Sequence, residues 1–232
     1  MKAILRLWKT SLLLFSLLFI SACLSAKFVP IPPKVVIGIY HPVSKGESLW
    51  RICKTYDVDL QEVAELNNIK YESQIKAGGR IFIPGATKTR RVKVYKKELP
   101  KKRVRIVQQK GRFSWPVKGR VVSYYGVQKG KKYDGININA PLGSPVKAAD
   151  SGKIVFANKL SGYGNLVIIQ HKDKYTTVYA HNQLNLVKEG SWVKRGSIIA
   201  KLGNSHDPSA SPTLHFQIRR YNKARNPLFY LH

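Results

Sequence analysis

Three short stretches of this chain carry side chains able to do chemistry: Lys132-Tyr133-Asp134-Gly135-Ile136-Asn137-Ile138, Tyr179-Ala180-His181 and Thr213-Leu214-His215. Histidine is the commonest metal ligand and the side chain whose proton moves most readily near neutral pH. Tyr133 could join such chemistry only by giving up a proton with a reference pKa of about 10. Asn137 offers a neutral carbonyl, a hard oxygen poorly suited to zinc. If these stretches are extended strands, side chains two or four residues apart share a face. Tyr133 then shares a face with Asn137, Asp134 looks the opposite way, and Thr213 looks the same way as His215.

The elements that must position these groups lie within residues 111–232, which read as strands at 121–124, 135–138, 153–157, 166–171, 175–181, 198–202 and 214–219. Turn signals separate them: Pro141-Leu142-Gly143-Ser144-Pro145, Ser161-Gly162-Tyr163-Gly164, and Lys172-Asp173-Lys174 in a hairpin position. Val167-Ile168-Ile169 is a continuous apolar run, as a strand covered on both faces shows. No long helix is convincing, so an antiparallel β domain is expected.

This region resembles the LytM-type zinc endopeptidases of the M23 family. The residues that carry the resemblance are Asp134 to Ile138, Ala140-Pro141-Leu142-Gly143-Ser144-Pro145-Val146-Lys147-Ala148-Ala149, Gly162-Tyr163-Gly164-Asn165, Tyr179-Ala180-His181, Val193-Lys194-Arg195-Gly196 and Leu214-His215-Phe216. Active members carry His-x-x-x-Asp on one strand and His-x-His on another. The first His, the Asp and the last His hold zinc, and two further His assist the reacting water. The resemblance puts the ligand positions at Tyr133, Asn137 and His215, and the assisting positions at His181 and Thr213. A catalytic zinc needs about three good protein ligands and an open water position, and one good imidazole remains. Without the metal nothing lowers the pKa of water towards about 7. The expectation is an enzyme-like domain with no catalytic residue, no metal and no cofactor. His181 and His215 are then hydrogen-bonded groove residues. Rescue by His206 and Asp207, in a Ser/Pro/Asn loop, is not expected.

Residues 40–85 form a second compact unit. His41 and Val43 suggest a short strand, and Ser44-Lys45-Gly46-Glu47-Ser48 a turn that could cap a helix. Leu49, Ile52, Cys53 and Tyr56, then Leu60, Val63, Ala64 and Leu66, follow at helical spacing. The second helix stops at Asn67-Asn68, Ala77-Gly78-Gly79 turns, and Arg80-Ile81-Phe82-Ile83-Pro84 closes as a strand. This βααβ order, with Gly46-Glu47-Ser48-Leu49-Trp50 and Leu66-Asn67, resembles the LysM modules, which bind glycans containing N-acetylglucosamine. The resemblance implies a groove lined by Gly46, Glu47, Ser48, Leu49, Ile75, Ala77 and Gly78, although Leu49 and Ile75 could equally be core. Cys53 reads as a packing residue.

The remaining segments place these two units in the cell. The chain has 232 residues and a formal net charge of +29, which favours an anionic surface as partner. Residues 1–22 have a basic start (Lys2, Arg6, Lys9) and an apolar run too short to span a bilayer comfortably. They end in Ile20-Ser21-Ala22-Cys23, which resembles the bacterial lipoprotein box and implies acylation of Cys23. Leu24 after it favours the outer membrane. Residues 23–39 are a Pro-rich spacer, and residues 86–110 a strongly basic linker expected to be extended or disordered. The linker could be a solvated spacer or an adhesive for acidic surfaces. Nucleic acid is a poor candidate, because no stacking aromatics interleave the basic residues.

Lipid anchor, LysM module, basic linker and degenerate LytM domain, in that order, resemble the NlpD-type murein hydrolase activator lipoproteins. That resemblance implies three partners: peptidoglycan, an N-acetylmuramoyl-L-alanine amidase of the AmiC type, and outer-membrane lipid. It implies an amidase-docking groove of Tyr133, Asn137, Tyr163, His181, Thr213 and His215. The alternatives are an active zinc-dependent peptidoglycan endopeptidase with unusual ligands and a purely structural wall tether.

Overall fold

The computed structural model describes residues 34–94, 105–129, 131–203 and 211–232. The expectations for residues 1–22, Cys23, His206 and Asp207 lie outside those residues, as do most of the Pro-rich spacer and residues 95–104 of the linker.

The first unit comprises β1 (Lys34–Val35), β2 (Gly38–Pro42), α1 (Leu49–Tyr56), α2 (Leu60–Leu66), a short 3-10 turn (Glu72–Gln74) and β3 (Arg80–Pro84). Strands β2 and β3 pair antiparallel. The α1 helix starts where the Ser48 hydroxyl accepts from the Arg51 N–H at 3.3 Å, and it ends at Asp57 in the left-handed region (φ 56°). Asp59 caps α2 by accepting from the Glu62 N–H at 2.7 Å. These caps satisfy backbone donors that the helices leave open. Leu49, Ile52, Cys53, Leu60, Val63, Ala64, Ile81 and Ile83 form its core. Burial pushes the Cys53 thiol up to about 12, so it stays a packed, protonated group. Asn67 joins the helical half to the sheet: its amide donates to the Phe82 carbonyl and accepts from the Phe82 N–H, at 2.9 and 2.7 Å.

The second unit contains β4 (Arg120–Ser123), β5 (Gly126–Gln128), β6 (Lys131–Tyr133), β7 (Ile136–Asn139), β8 (Pro145–Lys147), β9 (Gly152–Leu160), β10 (Gly164–Gln170) and β11 (Tyr175–Asn185). It continues with β12 (Trp192–Val193), β13 (Ile198–Leu202), β14 (Thr213–Arg220), β15 (Lys223–Arg225) and a closing 3-10 turn (Pro227–Phe229). The main sheet has the order β12-β9-β10-β11-β14-β7-β4, with β13 also paired to β11 and β8, and β15 to β14. Every pairing between these strands is antiparallel. The expected mainly β architecture, an antiparallel domain preceded by a small βααβ module, is the observed one. The apolar run on β10 is covered on both faces. Val167 and Ile169 enter the main core, while Leu166 packs with Val178 and Ala180 on the other side.

Three sequence expectations need correction. The stretch from Lys132 to Ile138 is not one strand: it bends at Asp134-Gly135, and β6 pairs with β5 and β1 in a separate three-stranded sheet. Gly135 makes the bend possible, since a Cβ there would lie 2.4 Å from the Phe216 carbonyl oxygen. The described parts of the linker are irregular but not free. Val92 is buried in the first core, Ile106 packs against both cores, and the Arg90 N–H donates to the Tyr56 hydroxyl at 2.7 Å. Finally, Leu66 belongs to the second unit's core and not to the first.

Candidate functional site

Strand β14 lies between β11 and β7, which puts His215 opposite both Ala180 and Asn137. His181 follows at a positive φ of 67°, in the left-handed region, and its N–H donates to the Tyr163 carbonyl at 3.0 Å. The imidazoles of His181 and His215 are 5.8 Å apart between ring centres, and Tyr163 and His215 6.3 Å. The structure thus gathers Asn137, Tyr163, His181 and His215. Thr213 stands two residues before His215 on β14, opposite Asn139, and is partly exposed. Tyr133 ends β6 on the other sheet, so the shared strand face expected for Tyr133 and Asn137 does not exist as drawn. The same bend brings the Asp134 carboxylate near enough to act electrostatically on His215. The expectation that it faces away therefore does not hold. Asp134 pairs with the Lys132 ammonium at 3.2 Å.

Both ring nitrogens of His215 are taken. Nδ1 lies 2.7 Å from Asn137 Oδ1 and Nε2 lies 2.9 Å from Gln217 Nε2. With Nδ1 donating to the Asn137 carbonyl and Nε2 accepting from the Gln217 amide, the ring is neutral and fully satisfied. The Gln217 carbonyl in turn accepts from Arg219 Nη1 at 3.1 Å. Sequence reasoning missed Gln217 and Arg219 and placed Asp134 on the wrong face. Extending the two-residue alternation of β14 beyond His215 points to the first two.

Zinc does not fit these residues. Asn137 gives its carbonyl to His215, His215 has no spare lone pair, and Tyr133 is a phenol whose strand belongs to another sheet. Among the described residues no group of three or more His, Cys, Asp or Glu side chains could hold a metal ion. Burial lowers the His215 pKa from 6.5 to about 4, with Asp134 opposing. The unfolded chain takes up this proton at higher pH than the folded one. The resulting stability is present above about pH 6.5 and is lost as the pH falls towards 4. In an NMR titration His215 should stay neutral down to about pH 4; titration near 6.5 would show that its hydrogen bonds to Asn137 and Gln217 do not form.

In the first unit, the Gly78 N–H donates to the Val43 carbonyl, and Val43 N–H to the Gly79 carbonyl, each at 2.9 Å. These bonds set the turn with Gly46 and Ser48 beside the turn with Ala77 and Gly78. Gly46, Ala77 and Gly78 are exposed, while Ser48 and Ile75 are partly so. Leu49 is fully buried and belongs to the core. The Glu47 side chain also points inward, accepting from the Ser44 N–H at 2.8 Å and bonding His41 Nε2 at 2.9 Å. Both hold the first turn from behind and line no open groove.

The sequence pattern described as peptidase family M23 matches residues 131–227, and that of the LysM domain matches residues 41–84. The chain is 38% identical over 209 residues to the uncharacterized lipoprotein YgeR of Escherichia coli, covering 84% of this chain and 81% of that protein. It is 43% identical over 118 residues to the murein hydrolase activator NlpD of Escherichia coli, covering 50% of this chain and 30% of NlpD. It is 39% identical over 116 residues to the cell division protein DipM of Caulobacter vibrioides, covering 49% of this chain and 19% of DipM. Among solved structures, Helicobacter pylori Csd3 aligns with a TM-score of 0.46 at 32% identity, over 52% of this chain and 34% of that one. The chain therefore spans most of YgeR but a third or less of NlpD and DipM. Joined as they are in one chain that runs alongside YgeR for about four fifths of its length, the two modules place it in the NlpD-type family of lipoproteins built from a LysM domain and an M23 peptidase domain.

Proposed function

We propose that this chain is a non-catalytic, lipid-anchored activator of a peptidoglycan hydrolase, namely an N-acetylmuramoyl-L-alanine amidase of the AmiC type acting in septal peptidoglycan splitting. The observation that carries this reading is the hydrogen-bonded state of His215. The one strong ligand of the ancestral triad is held between Asn137 and Gln217, so it supports a polar docking floor and not a metal centre. The activator names of relatives such as NlpD support the same reading. The docking surface comprises Tyr133, Asn137, Tyr163, His181, Thr213 and His215, where aromatic rings stand beside polar groups, as in many binding patches. Activation is a population shift: the groove binds the open form of the amidase better than the closed one and supplies no reacting group.

The LysM module holds the chain on peptidoglycan through Gly46, Ser48, Ile75, Ala77 and Gly78, with Glu47 and Leu49 shaping the turn from within. Acylated Cys23 anchors the chain to the periplasmic face of the outer membrane. This last point is supported by the sequence around Cys23 and by the lipoprotein names of relatives.

Dye-labelled sacculi test the proposal. The chain alone should sediment with the sacculi and release no dye, and should stimulate release by the amidase. Tyr133→Ala combined with Thr213→Ala should lower the stimulation about tenfold, corresponding to about 1.4 kcal/mol of lost docking energy. Dye release by the chain alone, or unchanged stimulation by the double variant, would sink the proposal.

A further inference from the structure

The two units are not beads on a string. Glu65, near the end of α2, is 2% exposed in a chain with 41 Lys and Arg against 12 Asp and Glu. Its carboxylate accepts from Arg225 Nη2 at 2.7 Å, from the Asn226 N–H at 3.1 Å and from its neighbour Gln61 Nε2 at 2.9 Å. Its carbonyl accepts from Asn226 Nδ2 at 3.2 Å, and Asn226 is itself 1% exposed. Leu66, the next residue, is buried in the core of the C-terminal domain. Gln61 bonds both backbone groups of Val107, at 2.8 and 2.9 Å. Helix α2 is therefore buried on two faces: Leu60, Val63 and Ala64 face the LysM core, and Glu65 and Leu66 face the other domain.

Beside the Glu65 contact, the next residue, Leu66, meets a second element. Gly126, which opens β5, has φ 118°, and a Cβ there would lie 2.3 Å from the Leu66 carbonyl oxygen. The other strand of this hairpin, β6, is paired on its outer edge by β1, from the chain that enters the LysM module. The hairpin shares no backbone pairing with the main sheet among the described residues. It ends at Tyr133, followed by Asp134 and the bend into Asn137. The N-terminal unit thus helps to place the groove's Tyr133 edge, together with Tyr125 and Val127, which pack on the C-terminal domain's own core.

We propose that Glu65 locks the LysM module onto the C-terminal domain as the support of hairpin β5–β6, so that glycan capture and partner docking occur on one coupled body. A buried carboxylate held by Arg225 and Asn226 suits such a task, because any geometry that removes these partners leaves its charge buried and unpaired. Glu65 is a positioning residue and touches neither ligand. The coupling to partner docking rests on the activator reading; the lock itself does not.

A specific protease site inserted between residues 98 and 99 of the full chain tests both parts. After cleavage the two halves should co-elute in size exclusion at micromolar concentration. With Glu65→Lys they should separate, each keeping its circular dichroism. Gly126→Val, which wedges the adjoining Leu66 contact of the same interface from the other domain, should act alike if Glu65→Lys folds poorly. Both variants, uncleaved, should lower amidase stimulation about tenfold, within the usual range of coupling between sites, although every groove side chain is intact. Separation of the unmutated halves, or co-elution with both variants, overturns the lock. Intact stimulation by separable variants overturns the coupling. If the unmutated chain stimulates nothing, the activator reading and the coupling that rests on it fail together, while elution still decides the lock.

Discussion

Tyr133→His together with Asn137→Asp should convert the groove into a zinc site that keeps about one metal per chain through dialysis, while the natural sequence keeps none. A phenol ligates zinc well only as the phenolate, and the reference pKa of a phenol, about 10, puts that form out of easy reach at neutral pH. An imidazole at that position removes this obstacle. A carboxylate at residue 137 replaces a neutral amide with a charged ligand beside His215 Nδ1, which lies 2.7 Å from the present amide oxygen and can give its lone pair to the metal once its proton moves to Nε2. The remaining obstacle is Gln217, whose amide sits 2.9 Å from His215 Nε2 and so keeps the proton on Nδ1. Gln217→Ala added to the pair should tighten the metal further. Metal analysis after dialysis and competition with a chelator measure each step. If the double variant binds no better than the natural chain, the bend at Asp134-Gly135 has moved residue 133 out of reach, and its equivalence to a ligand position is wrong.

What the sequence made legible was local. Turn signals and two-residue alternation marked most strands of the large sheet. Ser48 stood out as a helix start, and the spacing of Leu49, Ile52, Cys53 and Tyr56 marked the buried face of α1. His215 and Asn137 were legible as neighbours only through family resemblance, because their meeting spans 78 residues of chain. The features that failed to show depend on partners from afar. Glu65 looks like a solvated helix acid until Arg225 and Asn226 arrive, the latter 161 residues away. Leu66 continues the apolar pattern of its helix and gives no sign of serving a different core. Asp134-Gly135 reads as strand because nothing local reveals that the Phe216 carbonyl needs the space where a Cβ would be. The linker's charge hid Val92, Ile106 and Val107, three apolar residues set among many cations; the first two are packed and the backbone of Val107 is bonded to Gln61.

Tyr179→Ala should unfold the C-terminal domain or nearly so, while Tyr179→Phe should leave a folded, weakened protein with a working groove. Tyr179 is fully buried, its ring 5.3 Å from that of Phe216, on the strand that leads to His181. Removing the ring costs about 3–5 kcal/mol by cavity formation. The hydroxyl accepts from the Ala149 N–H at 2.8 Å and bonds the Thr177 hydroxyl at 2.9 Å. Thr177 continues to His171 Nε2 at 2.7 Å, and His171 Nδ1 to the Ser151 carbonyl at 2.9 Å. Losing the hydroxyl leaves a buried donor open and costs about 1–3 kcal/mol more. The sum rivals the total stability of an ordinary domain, about 5–15 kcal/mol. Denaturant midpoints of the two variants separate the contributions, and a loss below about 1 kcal/mol for Tyr179→Ala would contradict the packing argument. Because the phenylalanine variant changes no groove side chain, its amidase stimulation should match that of the natural chain under conditions where both are folded. A loss there would mean that the buried relay, and not the surface, sets the position of His181.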